Sequence, residues 1–175
     1  MELTPVTQKF ILHWGEMGSR WGINRTVAQI HALLYIAGRP LAAEEIADTL
    51  GVARSNVSTS LKELQGWGII RLVHALGDRR DHYESMTDVW EMFQIVLTER
   101  KRREIDPTVA LLRECVAEAK AGKDEPPVRE RLGELLEFFQ TMSSWYDQVR
   151  CLPTGAVIKF VKMGHKVRQM LGRAG

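Results

Sequence analysis

The segment from Leu41 to Gly68, LAAEEIADTLGVARSNVSTSLKELQGWG, constrains the fold of this chain more than any other stretch of it. It predicts two short helices joined by a tight turn. Gly51 can adopt the left-handed conformation that ends the first helix, and the small Ala47 lets the second helix cross close to the first. The apolar residues recur at the spacing that a shared core needs. They are Ile46, Leu50, Val52, Val57, Leu61 and Leu64.

The second of these helices leaves short polar side chains on its outer face. Asn can pair bidentately with adenine, Ser and Thr hydrogen-bond to either base edges or phosphates, and Lys suits a phosphate. This is the pattern of a helix-turn-helix whose second helix enters the major groove of DNA. The alternative is a polar face that is merely solvated. The candidate contact residues are Arg54, Ser55, Asn56, Ser58, Thr59 and Lys62.

A β-hairpin is predicted directly after this helix. The runs Ile69–His74 and His82–Glu84 flank a Gly-Asp-Arg-Arg-Asp turn, which is typical of two short strands and their loop. A hairpin in this place is a wing. Arg79 and Arg80 are candidate DNA contacts, because the negative potential of a narrow minor groove attracts arginine. We expect Asp78 to hold an arginine by a bidentate pair and stiffen the loop, the alternative being a solvated loop.

Helices flank this core on both sides. Thr4-Pro5 and Asn24 are typical helix-start signals for two leading helices, and the region after the wing is helical in pattern throughout. The predicted fold is mainly α with a small β-hairpin wing, a winged helix-turn-helix core with N- and C-terminal dimerisation helices. The predicted domains are an N-terminal packing and dimerisation helix at 1–23, the winged helix-turn-helix at 24–87, and a helical linker and dimerisation tail at 88–175.

The tail has the pattern of successive amphipathic helices. Asp106 and Pro107 predict the cap and first turn of one of them, and the polar stretch 122–127 predicts a break. The last helix carries apolar residues as far as Val167 and Leu171. So much apolar surface cannot all fold back onto a small DNA-binding core. We therefore expect it to be buried in a homodimer.

Four consecutive basic residues, 100–103, invite a nucleic-acid interpretation. Glu99 and Glu104 bracket them, and a helix spreads their charges around its circumference. We therefore interpret the run as the solvated face of a linker, with phosphate contact as the alternative.

Composition limits the function classes. The 175 residues carry 24 Lys and Arg against 22 Asp and Glu, so DNA binding would depend on a few placed cations and on salt concentration. The sequence shows no phosphate loop, nucleophile elbow or Cys/His metal cluster, which predicts no enzyme, no cofactor and no metal. Cys115 and Cys151 predict a reduced pair whose redox reactivity stays open. No apolar run is long enough for a membrane span, and a cytoplasmic location is expected.

The layout resembles the MarR superfamily of winged-helix regulators, and more narrowly its GbsR-like branch. The resemblance covers roughly residues 10 to 112. Two positions depart from it, because Ala42 and Ala53 stand where family members often have a Ser or Thr helix cap. The segments that carry the resemblance are 21–26, 41–68, 77–80, 88–93 and 99–105.

The resemblance implies a bacterial or archaeal repressor-like regulator whose recognition helix enters the major groove, whose wing reaches the minor groove or backbone, and whose terminal helices dimerise. Relatives in this branch include sensors of quaternary ammonium compounds, which bind in aromatic boxes. Aromatic residues at helical spacing more often belong to a core. The aromatic residues concerned are Trp14, Trp21, Trp90, Trp145 and Tyr146.

These observations predict a sequence-specific transcriptional regulator, repressor-like, that binds a pseudo-palindromic operator in double-stranded DNA as a homodimer. A small-molecule effector of unknown identity would tune it. Two alternatives stay open. A winged helix can serve as a protein-interaction module, or the chain can be a ligand or redox sensor with weak DNA binding.

Overall fold

The computed structural model describes residues 1–74, 76–122 and 125–163, and these form two compact units. The first unit comprises residues 1–95 and the second the described residues from Val96 onward. Val167 and Leu171, predicted in the last helix, lie outside the described residues. The elements of the first unit are α1 (Pro5–Arg20), α2 (Arg25–Ala37), β1 (Leu41–Ala42), α3 (Ala43–Leu50), α4 (Arg54–Trp67), β2 (Ile70–Val73) and β3 (His82–Ser85). Then follow α5 (Val89–Arg100), which runs from the first unit into the second, a π-helical segment (Lys101–Ile105), α6 (Asp106–Ala121), α7 (Pro126–Arg150) and α8 (Thr154–Lys162).

The predicted helix boundaries of the first unit are confirmed by their local chemistry. The Thr4 side chain accepts from the Thr7 amide at 3.2 Å, and Asn24 accepts from the Thr26 amide at 2.8 Å. Each bond satisfies an amide that has no partner within its helix. Gly51 has φ +64°, the left-handed conformation that ends α3 and turns the chain toward α4.

The core of the first unit is built around α2. A helix that is apolar around most of its circumference can only be buried, and seven of the thirteen residues of α2 are buried. It packs against α1, α3, α4 and β3. The most completely buried large side chains of the unit are Ile30, Leu33, Leu34, Leu41, Ile46, Val57, Leu61, Leu64 and Ile69.

The three strands form one antiparallel sheet in the order β1-β3-β2. Ile70 pairs with Ser85 and Val73 with His82, so the predicted hairpin is confirmed. Leu41 also pairs with Tyr83, which ties the residues just before α3 to the wing. The pairing of β1 with β3 has no signature in the sequence, because two residues have no periodicity from which a partner can be derived.

The α1–α2 contact depends on small residues. Gly15 and Gly18 are buried on α1. A Cβ atom on Gly18 would lie 2.5 Å from the Cβ of Ala28, and one on Gly15 would lie 2.6 Å from Cγ of Gln29. The two helix backbones can therefore approach this closely only because neither glycine has a side chain.

The second unit contains an α6–α7 pair, α8, and a helical transition that sequence patterning misses. Asp106 has φ −60° and ψ −43°, which is helical, so the predicted cap at Asp106 is wrong. The chain passes from α5 through the π-helical segment Lys101–Ile105 into α6 without leaving helical geometry. Pro107 cannot donate a backbone hydrogen bond and crowds the preceding turn. A wider π turn just before it accommodates both effects.

Other predicted features of the second unit are confirmed. The break at 122–127 separates α6 from α7, and the described residues after it form the helices α7 and α8. No helix in the described ranges combines the length and apolar character that a membrane span requires.

We predict that Gly18→Ala destabilises the first unit by about 1–3 kcal/mol. The new methyl group would overlap Ala28, and overpacking of this kind outweighs the gain of about 1 kcal/mol in helix propensity. Gly66→Ala is the matched control, since no atom lies within 4 Å of a Cβ at that exposed helical position. Urea unfolding should show a loss for Gly18→Ala and a small gain for Gly66→Ala. Equal effects would contradict the close approach of the helices.

We also predict an acid-dependent loss of stability caused by His31. This α2 side chain is 7% exposed, its Nε2 atom lies 3.4 Å from Oγ of Ser85, and burial lowers its pKa from 6.5 to about 4. The unfolded chain therefore takes up this proton first as the pH falls below 6.5. The folded state should lose about 3 kcal/mol relative to the unfolded state by about pH 4.

The measurement is urea unfolding at several values between pH 7.5 and pH 4. His31→Gln keeps a polar side chain but removes the titration, so its stability should fall less steeply over this range. Parallel pH profiles for the wild type and His31→Gln would show that the histidine is not responsible.

Candidate nucleic-acid interface

The outward face of α4 carries all six residues that the sequence predicts there. The same helix buries Val57, Leu61 and Leu64 against the core, which fixes its rotation about its own axis. Ser60, a short polar residue between two of the candidates, is buried, at 4% exposure. Whether a polar residue of α4 is buried or exposed therefore depends on its position around the helix and not on its residue type. The exposed residues are Arg54, Ser55, Asn56, Ser58, Thr59 and Lys62.

The N-termini of α3 and α4 lack side-chain caps. Ala42 and Ala53 hold the extended cap conformation but provide no side-chain hydrogen bond. The first hydrogen bond of α4 runs from the Val57 amide to the Ala53 carbonyl at 3.1 Å. Its first-turn amides consequently point out of the helix end without an intrahelical acceptor. Such amides, at the positive end of a helix dipole, favour an anion.

The wing loop is held by a carboxylate–guanidinium clamp, as predicted. Nε of Arg80 donates to both oxygens of Asp78 at 3.0 Å, and Nη2 donates at 2.5 Å. The Arg80 amide also donates to Oδ1 of Asp78 at 3.0 Å. These hydrogen bonds hold the pKa of Asp78 well below its ordinary value. The loop is therefore ordered by a pair that stays ionised throughout the physiological pH range.

The clamp leaves the two wing arginines in different situations. Arg80 uses its Nε edge on Asp78, which leaves the Nη1 edge unused by the clamp. Arg79 is exposed, and within the described part of the chain no carboxylate lies within ion-pair distance of it. Arg79 and one edge of Arg80 are thus the cationic groups that the wing presents.

Two further acidic residues of the first unit are paired with arginines. Arg39 binds Glu45 through two hydrogen bonds, which lower the pKa of Glu45. Nε of Arg71 lies 2.5 Å from Oε1 of Glu84 across the β2–β3 pair. Sequence patterning missed both pairs. Arg39 and Glu45 are separated by a turn and a strand rather than by a helical repeat, and Arg71 and Glu84 meet only through the register of β2 with β3. Among the described residues, Arg54 and Lys62 form no such pair.

The basic run at 100–103 is only partly the solvated face that the sequence predicts. Arg102 lies on the surface and pairs with Glu99 at 2.6 Å. Lys101 does not fit that prediction, because its side chain is only 17% exposed. Its Nζ lies 2.8 Å from Asp106 and 3.4 Å from Asp147, which ties the π-helical segment to α7.

The predicted aromatic residues do not share one environment. Trp14 packs on Phe10 with ring centroids 5.4 Å apart and borders the core of the first unit, whereas Trp21 is 51% exposed. In the second unit, Trp145 and Tyr146 line a groove of about 340 Å³. The core interpretation therefore holds for Trp14, while Trp145 belongs to an open apolar surface.

The two cysteines differ in their exposure. Cys115 is half-buried, and Cys151 is exposed. In the described ranges, no three His, Cys, Asp or Glu side chains come together in a way that could hold a metal ion.

Known proteins resemble this arrangement. Residues 21–81 match the sequence profile of the MarR family. The chain is 23% identical over 155 residues to the HTH-type transcriptional repressor GbsR of Bacillus subtilis (strain 168), across 83% of this chain and 85% of that protein. A crystal structure described as a transcriptional regulator superposes with a TM-score of 0.65 at 20% identity, covering 83% of this chain and 96% of that one. These likenesses confirm the predicted winged-helix fold.

We predict that Asp78→Asn loosens the wing tip, because a neutral amide cannot hold the guanidinium of Arg80 by charge-assisted hydrogen bonds. The order parameter of the Arg80 Nε–H group, measured by NMR relaxation, should fall. Asp81→Asn removes a charge from the same loop without touching the clamp and should leave that value unchanged. An equal response of the two variants would show that Asp78 has no special part in ordering Arg80.

Proposed function

We propose that this chain, whose residues 21–81 match the MarR family profile, is a sequence-specific DNA-binding regulator of transcription. It acts as a homodimer in the cytoplasm and occupies a pseudo-palindromic operator. In this role α4 enters the major groove and the wing reaches the adjacent minor groove or backbone. Two such heads read half-sites about 10–10.5 base pairs apart, or a multiple of that spacing.

The observation that carries this proposal is the polarity of the exposed face of α4. Its apolar positions are all turned to the core, and its outward positions hold hydroxyl, amide and cationic groups. A protein-interaction module would instead need apolar or aromatic anchors on this face. The polar face therefore favours DNA over a protein partner.

The local electrostatics support the same role. Because Asp78, Glu45 and Glu84 are paired with arginines, their charges oppose the unpaired cations less. Three such cations, with the uncapped amides of α4, provide a small number of phosphate contacts. Binding should then be modest in affinity and should weaken steeply with salt. The cations are Arg54, Lys62 and Arg79.

We favour repression, because the relative GbsR is named a transcriptional repressor. In this mode the bound protein occupies the operator and blocks RNA polymerase. An effector would act by changing the separation of the two heads, because a shift of a few ångströms would remove the contacts of one half-site. We assign no effector and no catalytic role.

The proposal predicts different DNA-binding defects for the two parts of the interface. Arg79→Ala should weaken binding to all sequences alike and reduce the salt slope by about one, as expected for the loss of a phosphate or groove cation. Asn56→Ala should relax preference at particular base pairs, with a cost of about 1–3 kcal/mol on the preferred site. Gel shifts on the chain's own upstream region, over a series of salt concentrations, measure both effects.

Arg129→Ala is the control, since it removes an exposed cation from α7 in the other unit. It should match the wild type in affinity and in salt slope. If Arg79→Ala and Asn56→Ala also match the wild type, these residues are not the DNA interface.

A further inference from the structure

The imidazole ring of His82 lies against the wing loop with both of its nitrogen atoms near acceptors. Its Nδ1 atom is 2.9 Å from the backbone oxygen of Arg80, and its Nε2 atom is 3.5 Å from Oδ2 of Asp78. The side chain is only 12% exposed. His82 is therefore a third member of the clamp that Asp78 and Arg80 form.

Strand pairing fixes the place of this ring. His82 is the first residue of β3, and it pairs with Val73 of β2 and with Ala42 of β1. A residue with a neighbouring strand on each side cannot slip along the sheet without breaking the register. Asp78 and Arg80, by contrast, belong to no strand. The ring is thus a fixed point against which the loop can be held.

The two contacts of the ring together require a proton on each nitrogen. The Arg80 carbonyl can only accept, so Nδ1 must donate to it. In the neutral ring Nε2 then has a lone pair that faces the Asp78 carboxylate, and two acceptors form no hydrogen bond. The other neutral tautomer places the lone pair of Nδ1 against the carbonyl instead. Only the imidazolium ion, which donates from both nitrogens, satisfies both contacts.

We infer that His82 is a positioning residue of the wing, which holds Asp78 and Arg80 in the closed clamp when it carries a proton. The consequence for DNA binding rests on the proposed function. Because the charged ring favours the closed loop, the closed loop in turn favours the proton. Histidine is the side chain that ordinarily changes its charge between pH 5 and 8. Acidification in this range therefore stabilises the closed wing, and the gain is lost again as the pH rises.

Protonation also changes the charge that the wing presents to DNA. Residues 78–81 are two aspartates and two arginines, so their formal charges cancel. A proton on His82 adds one positive charge to this balanced set. Asp78 then neutralises only one of the two cations that touch it, and the surplus charge attracts phosphate. The wing should consequently bind DNA more tightly when the ring is charged.

The nearest other ionisable groups of the hairpin do not make these contacts. Nδ1 of His74 is 3.9 Å from Oδ1 of Asp81, but this pair is exposed, and the His74 side chain is 76% accessible. An exposed pair at this distance contributes little. Arg71 and Glu84 bind each other across β2 and β3. His74 is therefore a matched control, a histidine near an acid of the same hairpin but outside the clamp.

Two helices around the wing also bring ionisable groups. Helix α3 brings Glu44 and Glu45, whose charges raise the pKa of Arg80 after the larger effect of its bonds within the clamp. Helix α2 brings His31, but to the other end of β3. Among the described residues, none of these groups lies within hydrogen-bond or ion-pair distance of the His82 ring.

The first test needs no DNA and uses long-range ¹H–¹⁵N spectra of the full chain. At pH 8 the His82 ring should carry its proton on Nδ1, and Nε2 should gain a proton as the pH falls to 6. The order parameter of the Arg80 Nε–H group should rise over the same range. It should stay constant in His82→Gln, whose side chain cannot be charged, and should rise in His74→Gln as in the wild type.

The second test is a gel shift on the chain's own upstream region at pH 6 and pH 8, with the salt concentration held constant. The wild type should bind more tightly at pH 6, by roughly two- to fivefold for each wing, the effect of one surface charge pair. His82→Gln should lose most of this pH dependence, and His74→Gln should keep it. His31 is present in all three proteins, so its effect on stability cancels in the comparison.

A His82 ring with its pH 8 proton on Nε2, or the same Arg80 response in His82→Gln as in the wild type, would overturn the inference. So would equal pH dependence of DNA binding in these two proteins. Circular dichroism at both pH values checks that the variants are folded. The outcome is separable from that of the proposed function. If the expected spectra are found but no DNA is bound at either pH, only the function is refuted.

Discussion

The burial of α2 is the constraint on which the rest of the DNA-binding unit depends. Ile30 and Leu33 are fully buried, and α2 packs against both helices of the helix-turn-helix and against the wing strand β3. Once α4 has placed Val57 and Leu61 on this core, its rotation is fixed and its polar residues must face outward. The presentation of the polar face is thus a consequence of core packing, and damage to the core should damage recognition as well.

Electrostatics act locally in this protein rather than through net charge. A surplus of two positive charges over 175 residues gives no general attraction to DNA. The clamp between Asp78 and Arg80 and the pair between Arg39 and Glu45 instead neutralise acids beside the proposed interface. The same logic operates in the second unit, where Lys101 is shared by Asp106 and Asp147. Each pair fixes the geometry of its segment, and those in the first unit also neutralise acids that would repel phosphate.

Sequence patterning predicted the parts of this fold that are determined locally. The caps at Thr4 and Asn24 and the left-handed Gly51 depend on neighbours within a few residues, and so does the Asp78–Arg80 clamp. Most of what it missed depends on distant packing. His31 looks like one polar residue in an apolar stripe until β3 covers it, and the pairing of Lys101 with Asp147 joins segments that are 46 positions apart in sequence. The π turn before Pro107 was missed because an Asp-Pro pair is the ordinary signal for a helix start.

The central claim is that two copies of the exposed α4 face and the wing bind one duplex together. The most direct measurement is the stoichiometry of the complex with an operator fragment by light scattering, combined with hydroxyl-radical footprinting of the same complex. The account predicts two chains per duplex and two protected patches about one helical turn apart, or a multiple of a turn. One chain per duplex with a single protected patch, or no protection at any salt concentration, would contradict it.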